Sequence, residues 1–291
     1  MGEYVTDYFC ITFGTAQGAV TSPTLFSIYI NDIPLDDKKQ DSYSLLFADD
    51  LIKMKIFPKL SDEIENQINY YLMKIEIWLN TWILLMAPEK CFYTIFSQNL
   101  KGGDKGLKGV RKEKFNLYLY GTKLLCNNDP VFLGMRFDKY MSFNNQIAHI
   151  KKSCSDRLNI IKRLSHESWK INTKTLIQLY KSLIRSLIDY TFFIFSKISQ
   201  ANLNKLQAIQ NNCLRIIYKK KTTFNINTLH ELAELDILKV RAEEMKKKIL
   251  NEAEKNNNPL IHDLLEEYPN YISSKKNLNN VTILDNYINI H

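Results

Sequence analysis

This 291-residue chain has no Cys-x-x-Cys pair and no His at zinc-ligand spacing from a cysteine. Its cysteines are an odd, scattered five: Cys10, Cys91, Cys126, Cys154 and Cys213. That excludes a zinc knuckle and a disulfide framework, and points to a reducing, intracellular setting, cytoplasm or nucleus. Long apolar runs are missing too. The most apolar helical candidate, SLIRSLIDYTFFIF, is short and carries Arg185 and Asp189, and no apolar stretch opens the chain. Neither a membrane span nor a signal peptide is expected, and no membrane partner with them. No internal repeat is evident. The last absence is local: in SLLFADDLIKM, residues 44 to 54, the turn of an apparent hairpin has neither Gly nor Asn. Those are the residues a tight hairpin favours. Two adjacent carboxylates, Asp49 and Asp50, stand there instead.

What is present suits a folded protein with an acidic partner. Hydrophobic residues make up 45% and charged residues 24%, enough to build a core. The net charge is +8 and the pI near 9.0, which favours nucleic acid or an anionic surface. Acid is scarcest between residues 142 and 221, where 15 Lys and Arg face 3 Asp and Glu. This segment alone exceeds the excess of the whole chain. A solvated basic face is the plain reading of any one lysine, and the density over the segment points to nucleic acid.

The patterning predicts an α+β chain in three parts. In 1–140, YVTDYFCITFG reads as a strand leaving through a Gly-containing turn. A helix follows, with Ser22 as N-cap and Pro23 at the first helical position. Residues 43–57 read as a tight hairpin. A long amphipathic helix then starts at a capping Asp62, with Glu65 three residues on, and carries Ile64, Ile68, Leu72, Ile75, Leu79 and Ile83 on one stripe. It is expected to end before Pro88. CFYTIFS and FNLYLYG read as strands around an exposed, mobile connector, KGGDKGLKGVRKEK, and VFLGMRFD as a last strand. Residues 141–255 carry four or five basic helices with no strand signal, and 256–291 is an Asn-rich, loosely ordered tail.

Adjacent carboxylates at a turn repel and raise each other's pKa unless a cation neutralises them. Mg²⁺ accepts one or two protein carboxylates while keeping waters and substrate phosphates, so it suits such a pair. An isolated Asp-Asp is otherwise an ordinary turn whose side chains cap backbone amides. The upstream segment QGAVTSPTLFSIYINDI decides between these. With LLFADDLI it resembles the reverse transcriptases of non-LTR retrotransposons: a Gln-Gly turn, a Ser-Pro helix start and a Leu-Phe pair precede a hairpin reading aromatic, any residue, Asp, Asp. Here these are Gln17, Gly18, Ser22, Pro23, Leu25 and Phe26, then Phe47, Ala48, Asp49 and Asp50. Downstream, LMAPEKCFYTIFS is similar to the segment that places a family lysine, here Lys90. PVFLGMRFDKYMSFNNQIAHIKK is similar to the Leu-Gly strand of the primer grip, Leu133 and Gly134, and the first thumb helix. The likeness runs to about residue 245.

The resemblance implies a partial polymerase palm, an antiparallel sheet with helices, followed by an all-α thumb and a C-terminal helical region. It implies an RNA-directed DNA polymerase using RNA template, DNA primer and deoxynucleoside triphosphates. Asp49 and Asp50 would hold Mg²⁺, with Mn²⁺ as substitute, and Phe47 would pack beneath the turn. Gln17, Gly18 and Phe47 would meet the nucleotide, Lys90 the leaving pyrophosphate, and Lys151, Lys152, Arg157, Lys162 and Arg163 the phosphates of primer and template. His149 and His166 are expected to be structural or phosphate-facing. The family's third carboxylate lies well upstream of the Gln-Gly turn, whereas here Glu3 and Asp7 are the only acids before Gln17, in no such motif. The expectation is an incomplete site and a chain of little or no polymerase activity. The alternative is a non-catalytic protein binding RNA or DNA through its basic helical half.

Overall fold

The computed structural model describes residues 14–16, 18–35, 42–57, 61–96 and 115–257, with 263 and 266. The strand expected before residue 14, Gln17, the Gly- and Lys-rich connector and most of the Asn-rich tail lie outside these. The chain divides into two units, residues 1–93 with 102–126, and 94–101 with 127–291.

In the first unit α1 spans Ser22–Tyr29. Its N-cap is Thr21, not Ser22. Ser22 is the first helical residue, and its hydroxyl donates to the Ala16 carbonyl at 2.7 Å, tying the preceding turn to the helix. Strands β1 (Ser42–Phe47) and β2 (Asp50–Lys55) form the expected hairpin. Helix α2 (Asp62–Thr81) begins at the predicted cap itself, and its N-cap is the residue before. Ser61, in extended backbone, accepts from the Ile64 amide at 3.3 Å, and Asp62, Glu63 and Glu65 fill the first turn, where the helix dipole favours anions. Glu65 instead accepts from the Asn116 amide at 2.7 Å, and Glu76 from the Tyr120 amide at 2.6 Å. These bonds fasten α2 to the segment holding β4 (Tyr118–Leu119), which pairs with β5 (Thr122–Lys123). A parallel pair joins β3 (Phe92–Tyr93) to β6 (Leu125–Cys126).

The apolar stripe of α2 delivers Tyr71, Ile75 and Leu79 to a core with Ile33. Ile83 does not join it. The helix ends at Thr81, and Ile83 lies beyond, at φ +55 and 76% exposed. The Leu84 amide donates to the Leu79 carbonyl at 2.8 Å and the Ile83 amide to Asn80. This is a Schellman ending, with a β-branched residue where Gly is usual. Leu84 packs on the same core as Leu79 and closes the motif.

The second unit starts with a small hairpin, β7 (Val131–Phe132) and β8 (Met135–Arg136). Asp138 then accepts from the Tyr140, Ser142 and Phe143 amides, shaping the entry to α3 (Asn144–Leu164). Next come α4 (Thr173–Tyr180), a π turn at Lys181–Arg185, α5 (Ser186–Asp189), α6 (Gln200–Ile217), α7 (Ile226–Ala233) and α8 (Leu238–Lys255). Because α4 runs through the π turn into α5, these make five helical rods. No strand occurs among the described residues beyond Arg136. Their core includes Ile147, Cys154, Tyr180, Leu206 and Leu214. In DYTFFIF Thr191 and Ile194 are internal, whereas Phe193 is 39% exposed.

A polar seam crosses this core. Gln210 is completely buried; it accepts from the Tyr180 hydroxyl at 2.8 Å and donates to the Asp236 carbonyl at 2.8 Å. Gln207 accepts from the Leu238 amide at 2.8 Å, and His230 contacts the Leu235 carbonyl at 2.9 Å. The seam thereby fixes α6, α7 and the start of α8 to one another. No helix of the described residues is long and apolar enough to cross a membrane.

Candidate active site

The hairpin register places Phe47 opposite Asp50, leaving Ala48 and Asp49 as a two-residue turn. Ala48 is at φ +50, a conformation that a Cβ disfavours, and Asp49 is not among the residues of positive φ. That pattern matches a II′ turn, whose first position is ordinarily Gly. Both carboxylates are exposed. Among the described residues no Lys, Arg or His forms an ion pair with either, and no cluster of three or more His, Cys, Asp or Glu is assembled. Two oxygen-bearing side chains remain to offer a cation. This fits a hard ion that completes its shell with water and substrate oxygens.

Alternation along the strands separates two faces. On the inner face Leu46 and Leu51 pack against the α2 core. Ser44 and Lys53, two register pairs further from the tip and so on the same face, both donate to the Leu35 carbonyl, Ser44 at 2.9 Å. The Lys53 ammonium also lies 3.0 Å from the Ser44 hydroxyl and 4.7 Å from the centre of the Tyr71 ring. On the outer face Tyr43, Leu45, Phe47 and Met54 are exposed beside Asp50. Phe47 is therefore not packed beneath the turn. It is 62% exposed, because a residue paired with Asp50 shares the face of Asp50.

Gly18 is at φ +87 in an open turn, with nothing within 4 Å of where a Cβ would stand. Lys90 ends a 3₁₀ turn, Pro88–Lys90, just before β3 and is exposed; no ion pair links it to Asp49 or Asp50. Leu133 and Gly134, in the second unit, are not mid-strand. They form the turn between β7 and β8, at φ +46 and +73, as a type I′ turn requires. The Tyr190 hydroxyl donates to the Leu133 carbonyl, and Gly134 lies under the same ring.

Along α3, Lys151, Lys152, Lys162 and Arg163 are exposed, as are His149 and His166. Lys151 and Lys205 flank a groove of about 270 Å³ between α3 and α6, with Leu158 and Ile209 in its lining. Arg157 differs from its neighbours. It is half-buried, and its Nη1 donates at 2.6 Å to the Leu183 carbonyl in the π turn, so this guanidinium is already engaged. Sequence reasoning missed Lys53, Lys170 and Lys219; their settings depend on tertiary contact or on positive φ, which spacing does not reveal.

The chain is 22% identical over 232 residues to the probable RNA-directed DNA polymerase from transposon BS of Drosophila melanogaster, covering 75% of this chain and 24% of that protein. It is 23% identical over 215 residues to the RNA-directed DNA polymerase from mobile element jockey of the same fly, covering 71% and 22%. A third relative, the probable RNA-directed DNA polymerase from transposon X-element, is 21% identical over 269 residues, covering 92% and 27%. The chain thus spans about a quarter of the length of the curated relatives it matches. No protein-family model and no solved structure matches it.

Proposed function

We propose that this chain, similar over most of its length to RNA-directed DNA polymerases of non-LTR retrotransposons, is the palm-to-thumb portion of such an enzyme. The observation that carries the reading is the exposed, backbone-strained turn presenting Asp49 and Asp50 on a hairpin whose inner face is anchored. Asp49 and Asp50 hold divalent metal, Mg²⁺ or Mn²⁺, through their exposed carboxylates. Metal ions bound there supply Lewis-acid stabilisation of the attacking and leaving oxygens in nucleotidyl transfer.

The chain's own groups serve the rest. Gly18, free of a side chain, lets the backbone approach a nucleoside triphosphate, with Gln17 beside it. Phe47, on the outer face with Asp50, offers the nucleotide an apolar surface. Lys90 neutralises or protonates the departing pyrophosphate. The Leu133–Gly134 turn contacts the DNA primer. Lys151, Lys152, Lys162 and Arg163 bind primer and template phosphates, while Arg157 supports the π turn. The setting is inside the cell, where RNA template and nucleotides are found.

Mn²⁺ titration followed by electron paramagnetic resonance tests the metal assignment. Asp49→Asn and Asp50→Asn are each expected to weaken binding at least roughly tenfold with the fold intact. Unchanged Mn²⁺ affinity in both variants overturns the assignment and leaves a protein that binds nucleic acid without catalysis. Primer extension on an RNA template supplies the second readout. Any extension that persists in Asp49→Ala assigns the chemistry elsewhere.

A further inference from the structure

A cleft of about 560 Å³ opens in the helical unit where the end of α3, the start of α4 and the end of α6 meet. Its size is that of a pocket for a nucleotide-sized group. Lys170, Lys219 and His166 line it, and Glu167 is the one acid in the lining. Asn172 caps the first turn of α4, accepting from the Thr175 amide at 2.8 Å. The formal positive charge at the cleft is carried by the lysine side chains.

Both lysines stand on left-handed backbone, Lys170 at φ +48 after the 3₁₀ turn Glu167–Trp169 and Lys219 at φ +54 after α6. Past the end of a helix that conformation belongs to Gly or Asn, because a Cβ is penalised there. Glycine would hold either turn with less strain. What lysine adds is an ammonium group at the cleft. Trp169, in the turn leading into Lys170, keeps 61% of its surface in solvent. Lys219 sits 2.9 Å from the Glu167 carboxylate and holds that carboxyl below its usual range, so an ion pair occupies part of the site.

We propose that this cleft is a single-stranded nucleic-acid site. Lys170 and Lys219 take backbone phosphates, the second by leaving Glu167, and Trp169 stacks on a base. The site rests on the reading of the helical unit as nucleic-acid-binding, and it is separate from the α3 lysines. Phosphate contact and stacking on an open ring are indifferent to sequence, so any single strand serves. A duplex keeps its bases stacked on each other and offers the ring nothing.

The test uses the full chain and a fluorescein-labelled single-stranded RNA oligonucleotide, with anisotropy read across a range of NaCl concentrations and a duplex of the same length alongside. The Lys170→Gly, Lys219→Gly double variant is expected to melt no lower than the parent. Its log-affinity against log-salt slope becomes shallower by about 1.4, roughly 0.7 for each phosphate lost. Trp169→Ala loses roughly five- to hundredfold in affinity for the single strand and little for the duplex. Glu167→Gln, which frees Lys219, tightens binding. A folded double-glycine variant with unchanged slope, or a Trp169→Ala variant that weakens both ligands alike, overturns the site. Absence of salt-dependent binding in the parent chain fails the broader nucleic-acid reading instead, and the site falls with it.

Discussion

Ala48 occupies a conformation that costs a residue with a Cβ about 1–2 kcal/mol. Relief by Ala48→Gly is expected to add up to about 1 kcal/mol of stability, part being offset by the freedom glycine gains in the unfolded chain. Chemical denaturation measures that gain. Mn²⁺ affinity is expected to stay level or fall, since a looser turn holds the two carboxylates less firmly. Ile83→Gly is the matching control. Ile83 is exposed and left-handed, and its replacement is expected to stabilise by about 1 kcal/mol with no effect on metal. Neither strained position is legible in sequence. Ile83 continues the spacing of the α2 stripe and so reads as helix, whereas its conformation is set by Leu84 turning back onto Leu79. Lys53 has no mark in the sequence, because its role comes from the Leu35 carbonyl 18 residues earlier. Lys53→Met removes the ammonium while keeping the stem, and is expected to destabilise by about 0.5–1.5 kcal/mol, since the Leu35 carbonyl loses one of its two donors and keeps Ser44.

At the level of elements, α2 was readable because it buries one face, so a period of 3.6 appears in its apolar residues; the hairpin was readable as two apolar runs either side of Asp49 and Asp50, since apolar residues occupy both its faces. Their boundaries were less so. Ser61 and Asp62 are both good caps, and the choice falls on the one whose backbone is extended. VFLGMRFD, read as one strand, folds back at Leu133–Gly134, because consecutive positive-φ residues reverse a chain. The polar seam through the helical core has no signature in spacing, since Gln210 and His230 resemble surface residues. Gln210→Leu is expected to cost about 1–3 kcal/mol, mainly by stranding the Tyr180 hydroxyl and the Asp236 carbonyl. Combined with Tyr180→Phe the cost is expected to be less than additive, which a double-mutant cycle on denaturation midpoints measures.

For the whole molecule, composition pointed correctly to a folded chain with concentrated basic charge, and the paired motifs around Gln17 and Asp49 pointed to relatives that the comparisons found. Which cations are free was not readable: Arg157 lies in the basic run and is spent on Leu183. The cysteines show the same division between composition and setting. Burial pushes the Cys154 thiol up to about 11 and the Cys213 thiol up to about 12. In the unfolded chain both ionise near 9.0, so between that pH and about 11 to 12 the unfolded state holds fewer protons than the folded one. Stability contributed by these thiols is thus complete below about pH 9 and is lost as pH rises through their folded values. Denaturation at pH 8 and pH 10 is expected to show the loss, reduced in a Cys154→Ala, Cys213→Ala variant. At pH 8 a thiol reagent such as dithiobisnitrobenzoate is expected to spare both until the helical unit unfolds.

The anchoring of the hairpin has a mechanical consequence. Strands clamped at the root and bare at the tip form a cantilever, and the deflection of its end depends on how far the load stands from the clamp. The last packed pair, Leu46 with Leu51, is one register step from Phe47 and Asp50. The unsupported arm is then only about 3.4 Å long. A charge arriving at Asp50 therefore loads a short lever, and the packed Leu46–Leu51 pair takes that load directly.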